Sequence, residues 1–409
     1  MKIQLLATAA VTLAACGTGA AAQDIGQDIG KPVTIADGVT LDPIIDANLR
    51  YEYVDQAGIA EDADAVTLRT RLGAELKADG FSLLAEGEGT VALGDHYNDT
   101  LPGNGVEPYP TVADPENIEL NRLQLGYARD GFGVTVGRQR IVYDNARFVG
   151  NVGWRQNEQT FDAVRASGKF GPVAFDGAYA ISQRTVFGVD SPNEHFDGNL
   201  VLMGGSVDVK PVKLGAFAYL IDYDTRVAFS SQTYGARATG SFKLGMIGFD
   251  LMASIATQSD LGANPVSYRA EYYAAEAGAG FKGFTLKLGY EELGSDGGTA
   301  AFQTPLATLH AFNGWADLFL TTPTAGLRDY YVGAVYKFAK VKALPGLNLA
   351  VTYHEFDSDF GSSHYGDEID ASLGFKLGPV ALLAKYADYD AKGFGADTRK
   401  LWLQAGISL

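Results

Sequence analysis

The residues in this sequence that could do chemistry are first of all arginines on alternating positions. Arg69 and Arg71 are two apart, as are Arg138 and Arg140, and Arg50, Arg122, Arg237 and Arg269 stand in segments of candidate strand. Positions two apart share one face of a strand. Guanidinium groups arranged this way form a line of permanent charges whose forked donors match carboxylates. Glu86 and Glu88 have the same spacing, so that face carries both signs. The arginines either attract anionic ligands or pair with these carboxylates and hold a wall together, and the sequence leaves both open. Arg138 and Arg140 share parity with Val134 and Val136. That would turn them toward the apolar side unless a bulge near Gly137 flips the register or the strand has ended.

Hydrolysis is the competing chemistry. The five histidines are His96, His195, His310, His354 and His364. Ser and Asp lie near several of them, as chance alone would give, and no Gly-x-Ser-x-Gly motif is present. No Cys/His set has metal-ligand spacing, so neither a metal nor a cofactor is expected. An outer-membrane enzyme of protease or phospholipase type stays as the alternative function.

A line of inward charges needs elements that are wet on one face and apolar on the other. Ile45, Ala47, Leu49, Tyr51 and Tyr53 alternate with Asp46, Asn48, Arg50 and Glu52, and similar segments recur along the chain. Segments of about ten residues with this period are the pattern of transmembrane strands. We expect an all-β fold, a transmembrane antiparallel β-barrel of about 18 strands. Every second connection is tight, as at Ala78-Asp79-Gly80 and Asp130-Gly131-Phe132, whereas 94–118, 142–159, 183–197 and 295–327 are long. The strands expected over 198–208 and 212–223 alternate poorly, and the one over 267–280 puts Glu276 on its apolar parity. No run of about 18 apolar residues follows the N-terminus, which argues against helical spans. Tyr51, Tyr53, Tyr127, Tyr272, Tyr336 and Phe338 suit interfacial girdles. The final strand ends on Leu401, Leu403, Ala405, Ile407 and Leu409, an amphipathic signal for the barrel-assembly machinery, although such signals usually end in an aromatic residue.

At the other end, Lys2, the apolar stretch 3–15 and Ala20-Ala21-Ala22 read as a cleaved signal peptide over 1–22. A lipoprotein box at Leu13-Ala14-Ala15-Cys16 is the alternative. A periplasmic segment over 23–43 and the barrel over 44–409 would follow. The formal charge of −17 argues against a nucleic-acid partner. The expected location is the outer membrane of a Gram-negative bacterium, with membrane lipid around the barrel.

One stretch resembles a known family. Glu119-Leu120-Asn121-Arg122, then Val136-Gly137-Arg138-Gln139-Arg140-Ile141, then 144–162 with Asn145-Ala146-Arg147-Phe148 and Gly153-Trp154-Arg155-Gln156-Asn157-Glu158 look like the alginate-export family of outer-membrane channels. Tyr290-Glu291-Glu292-Leu293-Gly294 and His310-Ala311-Phe312-Asn313-Gly314-Trp315 are similar to the same family. The resemblance implies an 18-stranded porin-like channel whose lumen arginines draw an anionic saccharide or small anionic solute. It also favours an inward, constriction-lining place for Arg138 and Arg140. Arg155 joins that set if 142–159 folds into the lumen.

Overall fold

A computed structural model describes residues 30–409. The expected signal peptide and Cys16 lie outside the described residues. Of nineteen strands, all but the short first one, Val33–Ala36, follow one another in an antiparallel meander from Val39–Gln56 to Thr398–Ser408. Those two end strands pair with each other, from Gln56 opposite Thr398 to Asp46 opposite Ser408. The sheet is therefore a closed barrel of eighteen strands. Closure is what a membrane demands, because hydrocarbon offers an unpaired strand edge no hydrogen-bond partner.

The first barrel strand starts at Val39, ahead of the boundary expected at residue 44. The reason is local pairing. Val33–Ala36 folds back on it, Val33 opposite Leu41, along the rim where the C-terminal strand stops. The Leu409 N–H donates to the Ile45 carbonyl at 2.9 Å at the same place.

Strands meet at one end through two-residue turns such as Asp79-Gly80, Asp130-Gly131 and Lys282-Gly283. Both residues of each have positive φ, the turn whose twist matches the strands. At the other end the connections 93–116, 140–159 and 294–326 are long. Short turns mark the periplasmic end of such barrels.

The outer face is an apolar band. Leu83, Leu125 and Val136 stand opposite one another on neighbouring strands and are about half exposed. Where alternation was poor, the inner face is apolar as well. Leu200, Leu202, Phe217, Tyr219 and Ile221 are buried inside the barrel. They face Phe148 and Phe302, carried into the lumen by the connections 140–159 and 294–326.

The same filling inverts the expected face of the strand Arg269–Phe281. Tyr272, 2% exposed, points inward against Phe148 with ring centroids 5.0 Å apart, whereas Tyr273, 45% exposed, points to lipid. Arg269 shares parity with Tyr273 and is exposed. It therefore does not line the lumen, and Tyr272 belongs to the interior rather than to a girdle. Glu276, on the inner parity, meets Lys287 at 2.9 Å.

Leu125 is 54% exposed within the apolar band. Leu125→Arg should cost about 2–4 kcal/mol, the penalty for a charge on a lipid-facing position near the midplane, read as a lowered urea midpoint in lipid vesicles. Unchanged stability would mean that this position does not face hydrocarbon.

Candidate functional site: a lumen bridged by two loops

The site begins where a strand stops early. Phe132–Gln139 is only 8 residues long. Gly137 has φ +114°, and a Cβ there would collide with the Leu123 carbonyl, so only glycine fits this close crossing. The register continues without a bulge through Arg138. Arg138 consequently stays on the face of Leu123 and Val136, the outer one, and does not line the lumen. Its charge is met by Asp162 at 2.8 and 2.9 Å and by the Leu120 carbonyl at 3.1 Å. One residue later the Gln139 side chain donates to the Ala163 carbonyl at 2.9 Å, and the chain leaves the wall.

From Arg140 onward the loop 140–159 crosses the lumen. It is held by buried charges whose number must balance, because a lone charge out of water is costly. Glu158 accepts from Arg140 Nε at 2.5 Å, Asn121 Nδ2 at 2.6 Å and Asn151 Nδ2 at 2.9 Å, and faces Arg71 at 3.8 Å. Arg71 also binds Glu88, and Arg69 binds Asp46. Arg122 grips Glu86 through two bonds of 2.9 and 2.6 Å. Gln156, fully buried, donates from Nε2 to Thr67 Oγ1 at 2.8 Å and accepts from Asn48 Nδ2 at 3.0 Å.

A second group joins this loop to the loop 294–326. Arg155 meets Glu52 at 3.1 Å and Asp317 at 3.1 Å. Asp317 also takes Lys400 at 3.1 Å and His310 Nδ1 at 2.7 Å. Burial outweighs the Asp317 carboxylate and pushes the His310 imidazole down to about 3, so the ring is neutral. Arg50 pairs with Asp114 at 3.0 Å, and Asp114 comes from a third connection, 93–116. In a third group Arg147 binds Glu291 at 2.6 Å, Thr304 at 3.0 Å and Asn313 at 3.0 Å.

The two crossing loops also touch directly. The Gly150 N–H donates to the Leu306 carbonyl at 2.8 Å and the Thr308 N–H to the Ala146 carbonyl at 3.0 Å. At the far wall Trp315 N–H and Ala316 N–H donate to Asp370 and Glu368 at 3.2 and 2.8 Å. Gly314, φ +84°, leaves room for the Glu368 carboxylate, which a Cβ would strike.

Of the arginines singled out in sequence, Arg50, Arg69, Arg71, Arg122, Arg140 and Arg155 converge on this network with Glu86 and Glu88. Arg237 lies on a different wall, bonded to Asn145 of the first loop. Arg138 and Arg269 stand outside. Sequence reasoning missed Asp114, Arg147, Glu158, Asp317, Lys385 and Lys400. Lys400 was visible by parity with Gln404, Arg147 and Glu158 stand within the quoted motifs and Asp317 two residues past Trp315, whereas Asp114 had no periodic signal. Glu355, Asp357 and His364 also bring ligand atoms within 4.8 Å of one another, a grouping hidden in sequence because it joins two strands.

The sequence model of one family, described as alginate export, matches residues 41–287. No curated protein matches the chain. Among solved structures, Pseudomonas aeruginosa OpdO is similar at 14% identity and a TM-score of 0.70, covering 91% of this chain and 98% of that one. Acinetobacter baumannii OccAB3 gives 14%, 0.68, 90% and 100%. Pseudomonas aeruginosa OpdK, solved with vanillate, gives 15%, 0.67, 90% and 98%. At such identities the likeness shows a shared barrel fold. With a family match that covers more than half of the sequence, this outer-membrane β-barrel channel of a Gram-negative bacterium belongs to the alginate-export family.

Proposed function

We propose that the channel passes small or polymeric anionic solutes, carboxylates of uronic-acid type among them, along the face that carries Arg122 and Arg140. The observation that supports this is an asymmetry within the ion pairs. Arg140 is 30% and Arg122 14% exposed, but their partners Glu158 and Glu86 are 0% and 1% exposed. Each pair is neutral overall, yet the guanidinium is the part that solvent reaches. A passing ion feels the nearer charge more strongly. Arg71 and the carboxylates Asp42, Asp46, Glu75 and Glu86 share with these arginines a cavity of about 300 Å³. The deeply buried Arg50 and Arg155 hold the loops instead. OpdK, solved with vanillate, is a barrel of the same fold with a small carboxylate bound, which is consistent with this reading.

An enzymatic role fits less well. His310, His354 and His364 each set Nδ1 against an aspartate, Asp317, Asp329 and Asp357 in turn. In each case the other ring nitrogen meets Lys385 or a second carboxylate, not a nucleophile. Residues 1–22 act in this reading as the export signal, and the strand Thr398–Ser408 is what the assembly machinery reads.

Two measurements test the reading. Replacing Arg122 and Arg140 together by Gln should shift the reversal potential in a salt gradient toward cations, while the folded barrel still inserts. An unshifted potential would remove these arginines from selectivity. Deleting 145–157 should raise single-channel conductance, since the segment bridges the lumen. Unchanged conductance would show that the loop does not narrow the pore.

A further inference from the structure

The chain has three tryptophans, Trp154, Trp315 and Trp402, and all three surround one lysine. The Lys385 ammonium lies 3.6 Å from the Trp315 ring centroid, 4.0 Å from that of Trp154 and 5.4 Å from that of Trp402. It donates to His310 Nε2 at 2.7 Å, and His310 Nδ1–H donates in turn to Asp317 at 2.7 Å. Trp154 stacks on His310 with centroids 4.4 Å apart and planes 7° from parallel.

These groups come from four parts of the chain. Trp154 is carried by the loop 140–159. His310 and Trp315 belong to the loop 294–326. Lys385 and Trp402 stand on the wall strands Val380–Ala391 and Thr398–Ser408. A buried ammonium ordinarily takes a carboxylate as partner. Among the described residues no carboxylate lies within 4 Å of Lys385; Asp370 and Asp317 act on it from farther away. Its direct contacts are aromatic faces and the His310 imidazole, and a cation over ring faces is attracted more strongly once water is excluded. A carboxylate would bind it to one neighbour. The rings let one charge hold two loops and two strands at once.

The backbone bonds between the two loops lie at Ala146, Gly150, Leu306 and Thr308, and side-chain bonds tie Arg147 to Thr304 and Asn313 and Arg155 to Asp317. Beyond them, Trp154 and Trp315 are brought together by Lys385 and His310. We propose that Lys385 is the pin of a latch that keeps the two loops folded across the lumen and so sets the width of the channel. It is a positioning residue: it acts through Trp154 and Trp315 and does not touch the solute.

Because every tryptophan of the chain is in this cage, intrinsic fluorescence reports on the latch. Lys385→Met keeps the length of the side chain and removes its charge and donors. In planar bilayers it should raise conductance on the order of twofold as the constriction loosens, and in detergent its tryptophan emission should move to longer wavelength as the rings meet water. Lys385→Arg, which restores the cation over the rings, should return both values toward wild type. Trp315→Leu changes a loop and leaves the wall untouched, so it decides the matter if the wall variant does not assemble, and it too should raise conductance. A folded Lys385→Met barrel with unchanged conductance and emission would overturn the proposal, as would unchanged conductance of Trp315→Leu.

Discussion

Hydrocarbon gives a peptide group no hydrogen-bond partner, and the rest of this structure depends on that constraint. It closes the sheet by pairing Val39–Gln56 with Thr398–Ser408. Eighteen tilted strands then enclose a space too wide for the wall side chains to fill. The loops 140–159 and 294–326 occupy it, and the wall must be chemically complementary to them. Phe217, Tyr219 and Tyr272 face Phe148 on one side, and Arg71, Arg122 and Glu86 face Arg140 and Glu158 on another.

Charge balance is the second level of the same logic. Arg50 and Arg155, nearly all of whose surface is covered, share Asp114, and Arg155 also takes Glu52 and Asp317. Removing one member would leave another charge buried without a partner, which is far costlier than removing an exposed pair. The network therefore fixes where the loops lie more than it adds stability. Function sits at its edge, where Arg122 and Arg140 reach solvent and their carboxylates do not.

The wall of this barrel was legible in sequence because period-two alternation reports directly on a sheet with unlike faces. Val212–Tyr223 was delimited even though its alternation was weak, from the turns around it. Reading failed where the interior is not water. Tyr272 reads as a girdle residue because it is apolar, but it packs on the aromatic Phe148 of a loop inside the barrel, and Arg269, on the opposite parity, therefore faces outward. Arg138 was the opposite case: its parity with Val136 was right, and the expectation of an inward role followed the family resemblance. The partners of the arginines were harder still. Glu158, Asp114 and Asp317 lie on irregular loops, where no period says which way a side chain points.

The central claim is that the two long loops meet inside the barrel, where Val149 and Leu306 form a parallel backbone bridge. Cysteines placed at these two positions test it directly, since Cys16, the only native cysteine, falls in the segment read as a cleaved export signal. Adjacent bridged positions lie within the range in which a disulfide can close. The account predicts that the assembled barrel forms this bond on mild oxidation, seen as a mass loss of two hydrogens and a linked peptide pair after proteolysis. Two free thiols in a fully assembled barrel under the same conditions would contradict it.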